Sequence, residues 1–186
     1  MRRFAFLLVP VLLASCGGSS SGSDVVCDQQ YWDGTIGTCL PEGWHVVGSE
    51  DLAARGAPRE VVVAFQADDA VTGRFPLVTV TSQPLSGAPS VEEFDEQSRE
   101  SVKTLPGYTL VEDRETEIDN QPTTLHIFTA QPIAEQPVQR FYQVSYPSGG
   151  KGYTFTGVLP LSVDRVDEER LITLLENITF IEAEEE

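Results

Sequence analysis

EIDNQPTTLHIFTA, residues 117–130, decides the fold. Asp119-Asn120-Gln121-Pro122 reads as a turn, because Asn and Asp accept left-handed backbone and bond their own main chain, while Pro presets φ. Thr123 to Ala130 follows at once, rich in β-branched and aromatic residues, with Leu125 and Ile127 on one face at the period of a strand. Before the turn, Tyr108 to Asp113 supplies a first strand, so the short connection predicts an antiparallel hairpin. The pattern continues C-terminally. Gln139 to Tyr146 puts Tyr142, Val144 and Tyr146 on one face, Pro147-Ser148-Gly149-Gly150 turns the chain, and Lys151 to Leu159 returns. Strands joined in series by short turns make a meander.

Upstream lies the clearest helix start in the chain. In Pro89-Ser90-Val91-Glu92-Glu93-Phe94, Ser90 is an N-cap, Glu93 completes a capping box, and Pro89 with Phe94 forms a hydrophobic staple. The apolar stripe is Val91, Phe94, Val102 and Leu105, with Ser98 in the gap, and Pro106-Gly107 stops the helix. Three strands precede it: LPEGWHVV at 40–47, a turn feeding an aromatic-led strand; Val61 to Phe65, a buried β-branched run; and Leu77 to Thr81, which alternates. A second helix is capped by Asp164 and runs through Glu176. Its acidic first turn, Asp167 to Glu169, suits the helix dipole, and its stripe is Leu171, Leu174, Leu175 and Ile178. Ile178 to Ile181 is a candidate closing strand. The sequence holds no internal repeat. The expected fold is one α+β domain, an antiparallel β-sheet with helices packed on its faces.

The N-terminus reads as an address. Met1-Arg2-Arg3 is followed by an apolar run from Phe4 to Leu13 and then by Leu13-Ala14-Ser15-Cys16. The run would span about 15 Å as a helix, half the hydrocarbon thickness, so it suits a signal-peptide core rather than a permanent span. Leucine, two small residues and cysteine resemble the bacterial lipoprotein cleavage motif. That resemblance implies that residues 1–15 are removed and that Cys16 becomes a lipidated N-terminus carrying two or three acyl chains, enough for stable anchoring. Glycine rather than aspartate at position 17 points to the outer membrane if the host is Gram-negative. Residues 16–24 are then the lipidated cysteine and a flexible linker, GGSSSGS in its core. Gly18-Ser19-Ser20-Ser21-Gly22 spells the serine-hydrolase elbow, but a flexible linker lacks the strand and helix that the elbow requires. The remaining divisions are a disulfide-tied loop at 25–39, the α+β domain at 40–181 and an acidic tail at 182–186.

With Cys16 assigned to lipid, Cys27 and Cys39 remain. They enclose a loop containing the turn signal Asp33-Gly34 and pair as a disulfide in an oxidising envelope. Asp and Glu number 29 against 12 Lys and Arg, a formal net charge of −17, which argues against a nucleic-acid partner and against lying flat on anionic lipid. No metal or other cofactor is indicated. Asp28, Asp33 and Asp68-Asp69 lack the spacing of a calcium hand, and His45 and His126 lack that of a zinc site. His126 points away from the face of Leu125 and Ile127, and both histidines read as surface or packing residues. No nucleophile, base and orienter stand together in a recognisable pattern, so no catalytic residue is assigned.

The element order, three strands, a helix, a four-strand meander and a last helix, comes with LPEGW at 40–44, PSVEEF at 89–94 and EIDNQPTTLHIFTA. Over about Leu40 to Ile181 the chain resembles the PsbP/DcrB-like superfamily, which also takes in the Ran-binding Mog proteins. The resemblance implies a sheet with helices on its faces. It also implies a binding or accessory role like that of photosystem II extrinsic subunits, small bacterial lipoproteins and type VI effector chaperones. It carries over no functional residue. The expected function is that of a membrane-anchored envelope lipoprotein serving another envelope protein; the alternative is an envelope hydrolase acting on lipid or peptidoglycan. Tyr142, Tyr146 and Tyr153 are candidate partner contacts, since exposed aromatics anchor interfaces, against the alternative that they fill the core.

Overall fold

The computed structural model describes residues 25–181; the signal segment, Cys16, the linker and the acidic tail lie outside the described residues. Strands β3 (Trp44–Val47), β4 (Val61–Ala67), β5 (Leu77–Pro84), β6 (Thr109–Ile118), β7 (Gln121–Ala130), β8 (Gln139–Ser148) and β9 (Lys151–Pro160) form one sheet in the order β3-β4-β5-β9-β8-β7-β6. Every neighbouring pair is antiparallel. Helix α2 (Val91–Val102) and helix α3 (Arg165–Glu176) are as expected, whereas α1 (Ser49–Ala54) was not expected. At six residues, and with no side-chain cap, α1 is too short to print a helical period on the sequence.

The hairpins follow from their turn residues. Asp119 and Asn120 both take positive φ, and Gly149 and Gly150 do the same between β8 and β9, giving tight two-residue turns whose twist matches the strands. The first turn is therefore tighter than expected. Gln121 and Pro122 already belong to β7, paired with Ile118 and Glu117. Pro122 is tolerated because the β7–β8 ladder takes up only at His126.

One face of the sheet carries the core. Phe65, Val78, Val80, Leu125, Ile127, Tyr142, Val144 and Phe155 pack under Leu171, Leu174 and Leu175 of α3. Residues 25–39, expected as a loop, are instead most of a hairpin, β1 (Cys27–Trp32) with β2 (Gly37–Pro41), that closes this core beside α3. All of β2 is buried, Ile36 and Leu40 join the core, and Thr38 Oγ1 donates to the Leu174 carbonyl at 2.7 Å. The expected closing strand reduces to a single bridge, in which Gly37 and Thr179 exchange main-chain bonds of 2.8 and 2.9 Å. Helix α2 ends at Val102, so Leu105 lies beyond it, packed with Val102 against Phe128 and Phe141.

Cys27 and Cys39 form a disulfide across the hairpin, Cα to Cα 5.4 Å. Cys39 is buried and its strand holds α3, so the bridge constrains a core element. Closing a loop of this size contributes about 3 kcal/mol in the chain-entropy model. Reduction, or Cys27→Ser with Cys39→Ser, should lower the free energy of unfolding by about that amount in denaturant melts. A change under about 0.5 kcal/mol would show that the hairpin is held by packing alone.

Candidate functional site

The face of the sheet opposite α3 is polar at its centre, and register shows why. Thr79, Thr156, Gln143, His126 and Asp113 stand side by side on β5, β9, β8, β7 and β6. A parallel row holds Thr81, Thr154 and Ser145, with Thr124 and Glu115 paired further along. Helix α2 lies on these rows. Its Phe94 ring sits directly over Gly152, where any Cβ would overlap it. Ser98 fills the gap in the apolar stripe. Its hydroxyl lies 2.6 Å from Ser145 Oγ and accepts from Gln143 Nε2 at 2.7 Å, and Ser145 Oγ bonds Thr154 Oγ1 at 3.2 Å.

Next to this serine cluster runs an ionic chain. Arg99 Nε donates to Asp95 Oδ2 at 3.1 Å, and Arg99 Nη1 lies 3.6 Å from Asp113 Oδ2. Asp113 Oδ1 is 2.5 Å from Nδ1 of His126, which is 1 % exposed, and the Tyr108 hydroxyl is 3.2 Å from His126 Nε2. Both ring nitrogens therefore have partners, and the imidazole lies beneath the helix. Burial raises the Tyr108 hydroxyl above its ordinary pKa, the reverse of nucleophile activation. The arrangement gives each of these groups a hydrogen-bond or ionic partner and holds it in place.

Beside the chain, α2 and the β6–β7 hairpin bound an open cleft of about 750 Å³. Glu92, Asp95 and Arg99 line it from the helix; Glu115, Thr116, Glu117, Pro122, Thr123 and Thr124 line it from the strands. Burial raises the pKa of Asp95, which a Thr124 hydrogen bond and the Arg99 charge oppose. Among the described residues, no group of three or more His, Cys, Asp or Glu could hold a metal ion.

Burial likewise raises Asp167 and Glu176. A carboxyl whose folded pKa lies above its unfolded value binds more protons in the native state between the two values, so its contribution to stability is complete at low pH and is lost as pH rises. Glu93 runs the other way: its carboxylate accepts the Ser90 amide and sits below the ordinary range, so it titrates only in stronger acid. The thermal midpoint should therefore rise as pH is lowered from neutral toward the ordinary carboxylate range, and Asp95→Asn should shrink that rise. A midpoint that falls over the same interval would contradict this.

The expected partner contacts are corrected. Tyr142 is fully buried with its hydroxyl 2.5 Å from Glu168 Oε1, and Tyr146 and Tyr153 are 9 % and 4 % exposed and packed on Phe180. All three lie on the α3 face, where alternation along β8 and β9 places them, and so they are core. His45 is at the surface, 2.6 Å from Asp68. The Tyr108–His126–Asp113–Arg99 chain was not anticipated, although two signals point to it. His126 is out of phase with Leu125 and Ile127, and Asp95 with Ser98 stands on the inward stripe of α2.

No family model matches the chain, and no curated protein matches it. Solved structures do. LpqN of Mycobacterium tuberculosis, described as involved in cell envelope biogenesis, superposes with a TM-score of 0.60 at 12 % identity, over 77 % of this chain and 82 % of that one. The cyanobacterial PsbP (CyanoP) of Synechocystis sp. PCC 6803 gives 0.55 at 16 % identity, over 91 % of this chain and 99 % of that one. The chain has the PsbP-like fold.

Proposed function

We propose that this chain is a lipid-anchored accessory protein of the cell envelope that binds another envelope protein through the cleft between α2 and the β6–β7 hairpin. The cleft carries the reading. It is open, it is lined mainly by acidic and threonine side chains on a continuous sheet, and its Asp95 and Arg99 pair with each other and, through Asp113, with the buried His126 beside it. Leu13-Ala14-Ser15-Cys16 supports a lipid tether, and among the described residues no helix is long and apolar enough to cross a membrane. The likeness to LpqN, a protein of envelope biogenesis, agrees in fold with such a role.

Two measurements test it. Intact mass of the membrane fraction should show a diacylglycerol adduct on Cys16; an unmodified mature chain in the native host defeats the anchor. A photo-crosslinker at Thr116, in the cleft, should trap one discrete envelope protein in native membranes, while the same group at Lys151 should not. Equal labelling at both sites defeats the cleft. Turnover of an envelope substrate that is lost in His126→Gln with the fold intact would replace binding with hydrolysis.

A further inference from the structure

We infer that the end of the sheet at which the tether joins is a membrane-facing surface, seated on zwitterionic phospholipid; this rests on the anchored reading above. Six of the ten large apolar side chains that the described residues expose gather at this one end: Val26, Phe75, Ile133, Val138, Leu161 and Val166. Single exposed apolar residues are ordinary, but a gathering of them marks an interaction surface.

Their common location follows from register. Gln66 pairs with Leu77, Leu77 with Val158, Ala130 with Gln139, and Gln139 with Pro160. The β4–β5 connection with Phe75, the β7–β8 connection with Ile133 and Val138, and Leu161 after β9 therefore leave the sheet at the same end. Arg74 Nη1 donates to Gln136 Oε1 at 3.0 Å and ties the first two connections together. Val166 opens α3 directly after β9, and Val25, Val26, Glu42 and Val166 line one shallow cavity. At the opposite end the two tight turns, Asp119-Asn120 and Gly149-Gly150, carry no apolar side chain, and two of the ten exposed apolar residues, Val62 and Ile181, lie there.

The tether decides what covers this end. Val25 and Val26 belong to it, and only eight residues, 17–24, separate Val25 from Cys16. A Gly/Ser-rich linker of that length has a root-mean-square span of about 15 Å. An anchor at Cys16 thus holds this end, and not the other, next to the bilayer. There even a weak apolar contact is favoured by high effective concentration. On the same end Asp28, Glu42, Asp69, Glu135 and Asp164 outnumber Arg74, Arg165 and Arg170, so the net negative charge repels anionic headgroups and selects a zwitterionic surface. The same charges oppose a second copy seated face to face.

The test couples the mature chain through its Cys16 thiol to a maleimide phospholipid in phosphatidylcholine vesicles with brominated acyl chains. The outcome is then independent of whether the cell lipidates Cys16, which the mass measurement decides. Tryptophan is introduced as Phe75→Trp, Leu161→Trp or, at the far end, Lys151→Trp, and quenching is compared after subtracting that of Trp32 and Trp44. Quenching at positions 75 and 161 should exceed that at 151 by about twofold or more, since only groups within the headgroup–acyl boundary reach the bromines. It should fall when phosphatidylglycerol is added, and when Phe75→Trp is combined with Ile133→Glu and Leu161→Glu. Equal quenching at all three positions overturns the inference. So does a dimer in lipid-free solution that already shields Trp at position 75, which assigns the face to a second copy.

Discussion

Phe94→Ala should be the most damaging single truncation in α2, costing about 3–5 kcal/mol of folding free energy, the range for a buried aromatic reduced to alanine. Phe94 is 2 % exposed, and its ring lies over Gly152 of β9, which has no side chain to hold the ring off the strand. The rest of the interface is largely polar: Ser98 with Ser145 and Gln143, and Arg99 with Asp113. Such bonds fix register but replace bonds to water, so each contributes only about 1 kcal/mol net. The ring is therefore the main apolar anchor of the helix. Its loss should also loosen the cleft, raising amide exchange along α2 before global unfolding and abolishing crosslinking from Thr116. Equilibrium unfolding and residue-resolved hydrogen exchange measure both effects. A loss under about 1.5 kcal/mol with unchanged exchange would show that the polar contacts hold the helix unaided.

The sequence is legible where one period dominates and less so where two signals share a segment. The meander could be read because Asp119-Asn120 and Gly149-Gly150 force tight turns and β8 alternates through Tyr142, Val144 and Tyr146. Helix α2 could be read because Ser90 and Glu93 form the capping box that their spacing announces. The β1–β2 hairpin could not. Its strands are short, Asp33-Gly34 dominates the segment as a turn signal, and β2 is buried by α3, a partner far away in sequence. The three tyrosines show the limit at the site. Alternation gives a shared face without saying whether that face meets solvent or helix; the same pattern fits an exposed aromatic patch and a core. The His126 chain shows the converse. Its members come from α2, β6 and β7 and meet only through register, so no local motif contains them.

The other face offers a test of packing that single substitutions cannot provide. Gly157 of β9 faces α3, where an added Cβ would lie 2.7 Å from Leu171 Cδ2 and 2.9 Å from Cδ1. Leu171 is fully buried, so it cannot swing clear without displacing its neighbours in the core. Gly157→Ala alone should destabilise by about 1–3 kcal/mol through overpacking. Leu171→Ala alone should cost about 2–5 kcal/mol through lost burial and an unfilled cavity. The double variant should be less destabilised than the sum of the two, because the new methyl enters the space vacated by the leucine and no longer meets an obstacle. Residues in direct contact couple by about 0.5–3 kcal/mol, and this pair should couple favourably. Chemical denaturation of the four proteins closes the cycle. Additivity within about 0.3 kcal/mol would mean that α3 shifts away from the sheet as a unit instead of holding its place over Gly157. The helix is tied at its far end by the bond from Thr38 to the Leu174 carbonyl and by the buried hairpin beside it, and those ties make a rigid response the expected one.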